Sequence, residues 1–230
     1  MGGGAGLILK LLVQLALMMG VLAAILLGAA GTWDWPSGWA FLGLFGALSL
    51  TFSLWLARFD PALLEERMKP AAGPQRPWDW LFLVFIVAAF AAWLGLMGYD
   101  ARRMGWSHAP LAVQVAGAVL LTASFLGIGW VYRTNSFASP VVRLQTERNH
   151  VVVSTGPYAI VRHPMYAFAL GMFAAGPLMT GSWWSLATVP PIALALALRT
   201  LGEEEMLRAG LQGYEDYARR VRWRFAPGIW

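Results

Sequence analysis

Four apolar stretches, Leu7–Ala30, Gly38–Ala57, Trp80–Gly98 and Ala109–Tyr132, fill most of the first 132 residues. Each is close to the roughly 20 residues that a helix needs to cross a hydrocarbon core. Backbone polar groups find no water there, so a spanning segment must satisfy them internally, as a helix does. Only 13% of the residues are charged, against about a quarter in an ordinary soluble domain. The chain therefore reads as all-α, a polytopic membrane helix bundle. Lys10 and a small-residue site near Ala30 also fit a signal peptide, but the first apolar run exceeds the usual core of about 7–15 residues.

Polar segments divide the spans. Gly31–Ser37 is a turn whose Trp33 and Trp35 suit a membrane–water interface. Arg58–Asp79 is a polar loop in which Glu65-Glu66-Arg67 makes a helical turn before Pro70, and Tyr99–His108 is a short loop. Arg133–His163 is long and polar, with Val151–Val153 as a short extended piece. Two short apolar pieces follow, Met165–Thr180 and Trp183–Leu198, joined at Gly181-Ser182 and carrying Pro177 and Pro190-Pro191. They read as a helical hairpin that does not cross cleanly; broken helices at membrane depth line cavities. In the charged tail, Leu207, Leu211, Tyr214, Ala218 and Val221 recur on one face of a helix. The expected plan is five to six transmembrane segments including the C-terminal hairpin, plus a cytosolic tail helix. Residues 1–132 would hold four membrane helices, and 133–230 a catalytic region.

Every Lys and Arg except Arg102 and Arg103 falls on the side shared by the N-terminus, loop 58–79, segment 133–163 and the tail. The positive-inside rule makes that side cytoplasmic. The same rule accounts for the net charge of +5 without nucleic acid. The polar segment and the tail thus share a compartment, where they can build one site.

Which residues carry chemistry? The absence of Cys excludes disulfides, thiolate metal sites and Cys nucleophiles. His108, His150 and His163 form no short ligand spacing, so no metal site is expected. No P-loop, dinucleotide glycine pattern or Ser–His–acid arrangement stands out. In Gly156-Pro-Tyr-Ala-Ile-Val-Arg-His-Pro-Met-Tyr166, Pro164 pre-sets the first turn of a helix. Arg162 and His163 then sit at its positive end, suited to an anionic or electron-rich ligand, or to lipid headgroups. Arg199 and Glu203 share a helix face where the last apolar piece emerges. They make either a weak surface pair or, being ionisable at the edge of membrane depth, a functional one. Tyr214 and Tyr217 read as interface packing, Trp223, Pro227 and Trp230 as anchors, and Asn135-Ser136-Phe137 as a pocket mouth.

Two blocks carry a resemblance. His150-x-x-Val153-Ser154-x-Gly156-x-Tyr158-x-x-x-Arg162-His163-Pro164-x-Tyr166 resembles the signature of the isoprenylcysteine carboxyl methyltransferase family, which is related to the phospholipid methyltransferases. Arg199-x-x-x-Glu203-Glu204-x-x-Leu207, followed by Tyr214, Tyr217, Val221 and Pro227, resembles that family's C-terminal block. The resemblance covers about the C-terminal 100 residues. It implies an integral membrane enzyme that uses S-adenosylmethionine without a Rossmann domain. The cofactor would lie in a cytosol-facing pocket and the lipidic substrate would enter from the bilayer. Tyr158, His163, Pro164, Tyr166 and Glu204 would contact the cofactor, with His150, Gly156 and Arg162 in the same set, and Arg199 and Glu203 at the reacting end. The family often has Gly two residues after the motif Tyr; here Phe168 stands there, which bears on helix packing or on the width of the substrate entrance.

The implied reaction is methyl transfer to a lipidic or prenylated small molecule, foremost an isoprenylcysteine-type carboxylate, at the inner membrane of a prokaryote. A carboxylate is ionised at pH 7 and needs no base. An amine of a phospholipid would need one, Glu203 or His163. A sterol-type reductase using NADPH shares part of the Arg-His-Pro motif and would use Arg133, Arg143, Arg148 and Arg162 for phosphate. A membrane subunit without enzymatic activity would bind no cofactor.

Overall fold

The computed structural model describes residues 2–68, 77–138 and 148–230. Its regular elements are all helical: α1 (Gly2–Ala30), α2 (Pro36–Phe59), α3 (Pro61–Met68), α4 (Pro77–Gly98), α5 (Leu111–Thr134), α6 (Pro164–Thr180), α7 (Trp183–Leu186), α8 (Val189–Gly210) and α9 (Tyr214–Arg220). Proline starts many of them. Pro36, Pro61, Pro77 and Pro164 are first residues, and Pro190 lies in the first turn of α8. A helix start needs no N–H at that position and φ is already set. Pro190-Pro191 therefore begins a helix instead of breaking one. Asp60 caps α3 by accepting the Leu63 N–H at 3.0 Å.

Among the described residues, five stretches are long and apolar enough to cross a membrane: Gly6–Ala30, Pro36–Phe59, Val84–Met104, Leu111–Thr134 and Trp183–Gly210. The chain is a multi-pass integral membrane protein. α6 has only 17 residues, about 25 Å at 1.5 Å each. It nevertheless runs the depth of the bundle, antiparallel to α5. Gly117 of α5 lies against the backbone at Ala175 and Met179, Gly127 against Phe168, and Gly181 against Ala109. α6 thus packs along α5 over its length, and the second arm of the hairpin, α7–α8, lies in a stretch long and apolar enough to cross a membrane. Close approach is what binds membrane helices, since lipid tails are as apolar as side chains. A Cβ on Gly127 would stand 2.3 Å from the Phe168 ring. The aromatic residue that departs from the family pattern is therefore seated on a glycine of the neighbouring helix.

Pro177 sits inside α6 and does not interrupt it. It offers no N–H to the carbonyl of Phe173, four residues earlier. The indole N–H of Trp93, from α4, donates to that oxygen at 2.8 Å and removes the deficit. Trp93 belongs to the main core, with Leu26, Phe41, Leu94, Met97, Leu121 and Ala175. A second cluster at the other end joins Leu11, Leu56, Leu63, Leu64 and Met68.

At the end away from the tail, Tyr99–Met104 is a π-helical turn and not the expected loop. It places Asp100 in the interior, where Oδ2 accepts the Ser182 hydroxyl at 2.7 Å and the Trp184 N–H at 3.2 Å. This ties the end of α4 to the α6–α7 corner. Val151–Val153 has no regular structure. The tail is not one helix: α8 ends at Gly210, Gly213 takes φ +82°, and α9 starts afresh. Pro70 and Arg76 lie outside the described residues, as do Arg143, Gln145 and Glu147.

We expect Trp93→Phe to lower stability by about 1–3 kcal/mol, the usual result of stranding a buried carbonyl. Pro177→Ala restores an N–H to Phe173, so in that background the Trp93→Phe loss should shrink. Thermal unfolding of the four proteins in detergent measures this coupling; equal losses in both backgrounds would refute the assignment.

Candidate active site

The 3₁₀ turn Gly156–Ala159 and the start of α6 meet α8, α9 and the irregular tail at the end opposite Asp100. Gly156 has φ +56°, and a Cβ there would lie 2.6 Å from the Thr134 hydroxyl. Only glycine fits such a turn. It sets the direction of Tyr158, whose hydroxyl accepts the Asn135 amide N–H at 2.9 Å and whose carbonyl accepts the Tyr217 hydroxyl at 2.8 Å. Burial pushes the Tyr158 and Tyr217 phenols well above their ordinary range, so both are neutral at any physiological pH.

Arg162 and His163 are then stitched to the tail. Their backbone N–H groups donate to Trp223 O and Arg224 O, each at 2.9 Å. The Arg162 guanidinium donates Nε–H to Glu204 at 2.7 Å, and its NH1 to Val221 O at 2.6 Å and Arg222 O at 2.9 Å. With a longer contact to Ala218 O of α9 at 3.4 Å, it caps the end of that helix and the residues just past it. Glu204, 2% exposed, also accepts from His163 Nε2 at 3.2 Å, Arg224 at 3.1 Å and Arg208 at 3.5 Å. Four donors surround one buried carboxylate.

Glu203, one residue earlier, faces elsewhere. Its Oε2 accepts the Tyr166 hydroxyl at 2.8 Å and lies 4.0 Å from His163 Nδ1. Arg199 donates Nε–H to the same Tyr166 hydroxyl at 3.2 Å and stacks over the Phe82 ring at 4.6 Å. Arg199 and Glu203 do share a face, but Tyr166 stands between them. The His163 and Tyr166 rings are parallel, and Phe225 meets both edge-on.

These groups enclose a cavity of about 100 Å³. Of the expected site residues, His150, Tyr158, Arg162, His163, Tyr166 and Glu203 line it. Gly156, Pro164, Glu204 and Arg199 do not. Gly156 shapes the turn, Pro164 begins α6, Glu204 is consumed by its cations, and Arg199 faces Phe82. Asn135 and Phe137 do line the cavity, as the pocket-mouth reading expected. Tyr214 and Tyr217, read as interface packing, are instead buried in the cavity wall with Met206, Leu207 and Leu211. The periodic face of the tail had marked Leu207, Leu211 and Tyr214. Phe225 went unread, because nothing local distinguishes one aromatic residue in a short tail. Trp230, read as an anchor, packs on Phe225 and Arg224.

A family model described as phospholipid methyltransferase matches residues 112–212, from the start of α5 to just past α8. The matched stretch holds the Arg-His-Pro block and the Arg199–Leu207 part of the second motif block. Among solved structures, the chain is similar to the eukaryotic intramembrane Ras methyltransferase, isoprenylcysteine carboxyl methyltransferase, solved without a monobody. Identity is 19%, over 94% of this chain and 75% of that one, with a TM-score of 0.44. No curated protein matches the chain.

Removing one partner from a buried ion cluster leaves charge uncompensated, typically at about 3–5 kcal/mol. Glu204→Ala should therefore lower thermal stability by about that amount and free the tail. Trypsin cleavage within 219–224 should accelerate over the parent protein. A variant with parent stability and parent cleavage would show that the cluster does not hold the tail.

Proposed function

We propose that this chain is an integral membrane methyltransferase that uses S-adenosylmethionine and acts on a lipidic or amphiphilic acceptor. Its charge distribution supports a site facing the cytoplasm, and the inner membrane of a prokaryote is the setting assigned to it here. The observation that carries the reading is the lining of the cavity. It presents the carboxylate of Glu203 among Tyr158, Tyr166, Tyr214 and Tyr217, while its guanidinium, Arg162, is matched by Glu204. Aromatic faces and a carboxylate suit a cation, and a sulfonium is one. The group supplies an electrophilic methyl when bound. Glu203 and Tyr166 would hold the sulfonium end, and His163, Tyr158 and His150 the remainder.

The cavity is smaller than the roughly 300–1,000 Å³ of most small-molecule sites, so a ligand of nucleoside size requires its walls to part. The chain's own task is to align the acceptor and keep water out. Residues 133–230 would carry that task, with the helices of 1–132 as membrane support. For an isoprenylcysteine-type carboxylate, Arg199 would orient the acceptor, held in place by Tyr166 and Phe82. A charge-assisted pair gives such a contact both strength and direction. The description of the matching family favours a second acceptor, a phospholipid amine; there Glu203, close to His163, would take the proton. A reductase using NADPH is less supported. Arg148 donates to Ser136 O and lies over Phe137, Arg162 is bound to Glu204, and Arg133 is exposed and does not line the cavity.

Calorimetry on the detergent-purified protein tests the reading. S-adenosylhomocysteine should bind and NADPH should not; the reverse would overturn it. Glu203→Gln should weaken S-adenosylmethionine by about tenfold more than the uncharged thioether product, about 1.4 kcal/mol. Equal losses for both would remove Glu203 from the role of sulfonium partner.

A further inference from the structure

A second cavity, of about 380 Å³, lies between α1, α2, α3, α5 and α6, and shares no lining residue with the first. Its walls are apolar for most of their area, with Leu15, Phe45, Leu56 and Met172 among them. The charged side chain lining it is Arg67 of α3. That guanidinium is fixed by donation to Ala138 O at 3.0 Å and by stacking on Tyr132 at 4.6 Å. Along the outer face of α1 runs a shallower groove that shares Gln14 and Met68 with the cavity and carries Lys10. Among the described residues, no Asp or Glu lines either space. Glu65 and Glu66 neighbour Arg67 in sequence, but neither contributes to the walls.

Arg67 thus lines an apolar slot of about 380 Å³, and Lys10 lines the groove that adjoins it. Leu11, next to Lys10, packs with Leu63, Leu64 and Met68 of α3, so Lys10 and Arg67 lie at one level of the bundle. Basic side chains at the membrane edge attract anionic headgroups, at about 1 kcal/mol each near the surface, and long basic side chains reach headgroup level from apolar surface. We infer that this slot is a resident site for an anionic phospholipid, with one acyl chain in the cavity and the phosphate between Lys10 and Arg67. It is separate from the site of methyl transfer and does not rest on that reading.

The test is thermal unfolding of the delipidated full chain with added dioleoylphosphatidylglycerol, dioleoylphosphatidylcholine or inorganic phosphate. Phosphatidylglycerol should raise the melting temperature by about 5 °C, and the other two should leave it nearly unchanged. Lys10 is exposed, so Lys10→Gln should fold normally and reduce the phosphatidylglycerol shift. Arg67→Gln should reduce it further, and Arg67→Lys should keep much of it. Ser53→Leu, which fills the cavity, should abolish the shift without altering charge. Equal shifts with both lipids would overturn the proposal, since the slot would then read no headgroup. A shift with phosphate alone would overturn it by removing the acyl chain, and so would parent-sized shifts in Lys10→Gln and Ser53→Leu.

Discussion

A carboxylate removed from water and surrounded by donors from two distant stretches is what the architecture at the tail end of the bundle depends on. Glu204 gathers Arg162 and His163 from the start of α6, Arg208 from its own helix and Arg224 from the tail. Burying any one of these charges alone would be strongly unfavourable. Together they make the closure of tail onto loop specific, because no other register supplies so many matched partners. The backbone pairs from Arg162 and His163 to Trp223 and Arg224 fix the distance at which the cavity walls face each other.

Adjacent glutamates consequently do different things. Successive residues of an α-helix point about 100° apart, from 3.6 residues per turn. Glu204 turns into the interface between α6, α8 and the tail, where cations neutralise it. Glu203 turns toward Tyr166 and the cavity, where a hydroxyl is its direct partner and an imidazole stands further off. One acid is spent on structure and the next is left facing the cavity. The motif shared with a family does not distinguish the two; only the rotation about the helix axis does.

Legibility in the sequence followed the range of the forces involved. Membrane helices were readable because hydrocarbon length and backbone satisfaction act locally, and proline marked where many of them begin. The pairing of the Arg-His-Pro stretch with the charged tail was readable from motif and from charge sidedness. What stayed hidden depends on partners far away. Pro177 looks like a breaker until Trp93, 80 residues distant from the carbonyl it serves, is seen to satisfy Phe173. Phe168 looks like an obstruction until Gly127 is placed beneath it. Asp100 looks like a loop residue until the π-helical turn carries it inward against Ser182. Tyr214 and Tyr217 have the composition of interface anchors, and only the break at Gly213 reveals that they wall the cavity.

The tail clamp also has a bearing on biogenesis. Arg162 and Glu204 are 42 positions apart, and Trp223 and Arg224 come later still. While the chain is being made, the helices up to α6 can insert before Glu204 exists to meet that guanidinium. The set of partners around Arg162 is complete only once the tail carbonyls of Val221 and Arg222 have been made. Non-local closure of this kind is slow relative to helix formation, so the cavity end is assembled last, on a membrane scaffold already in place.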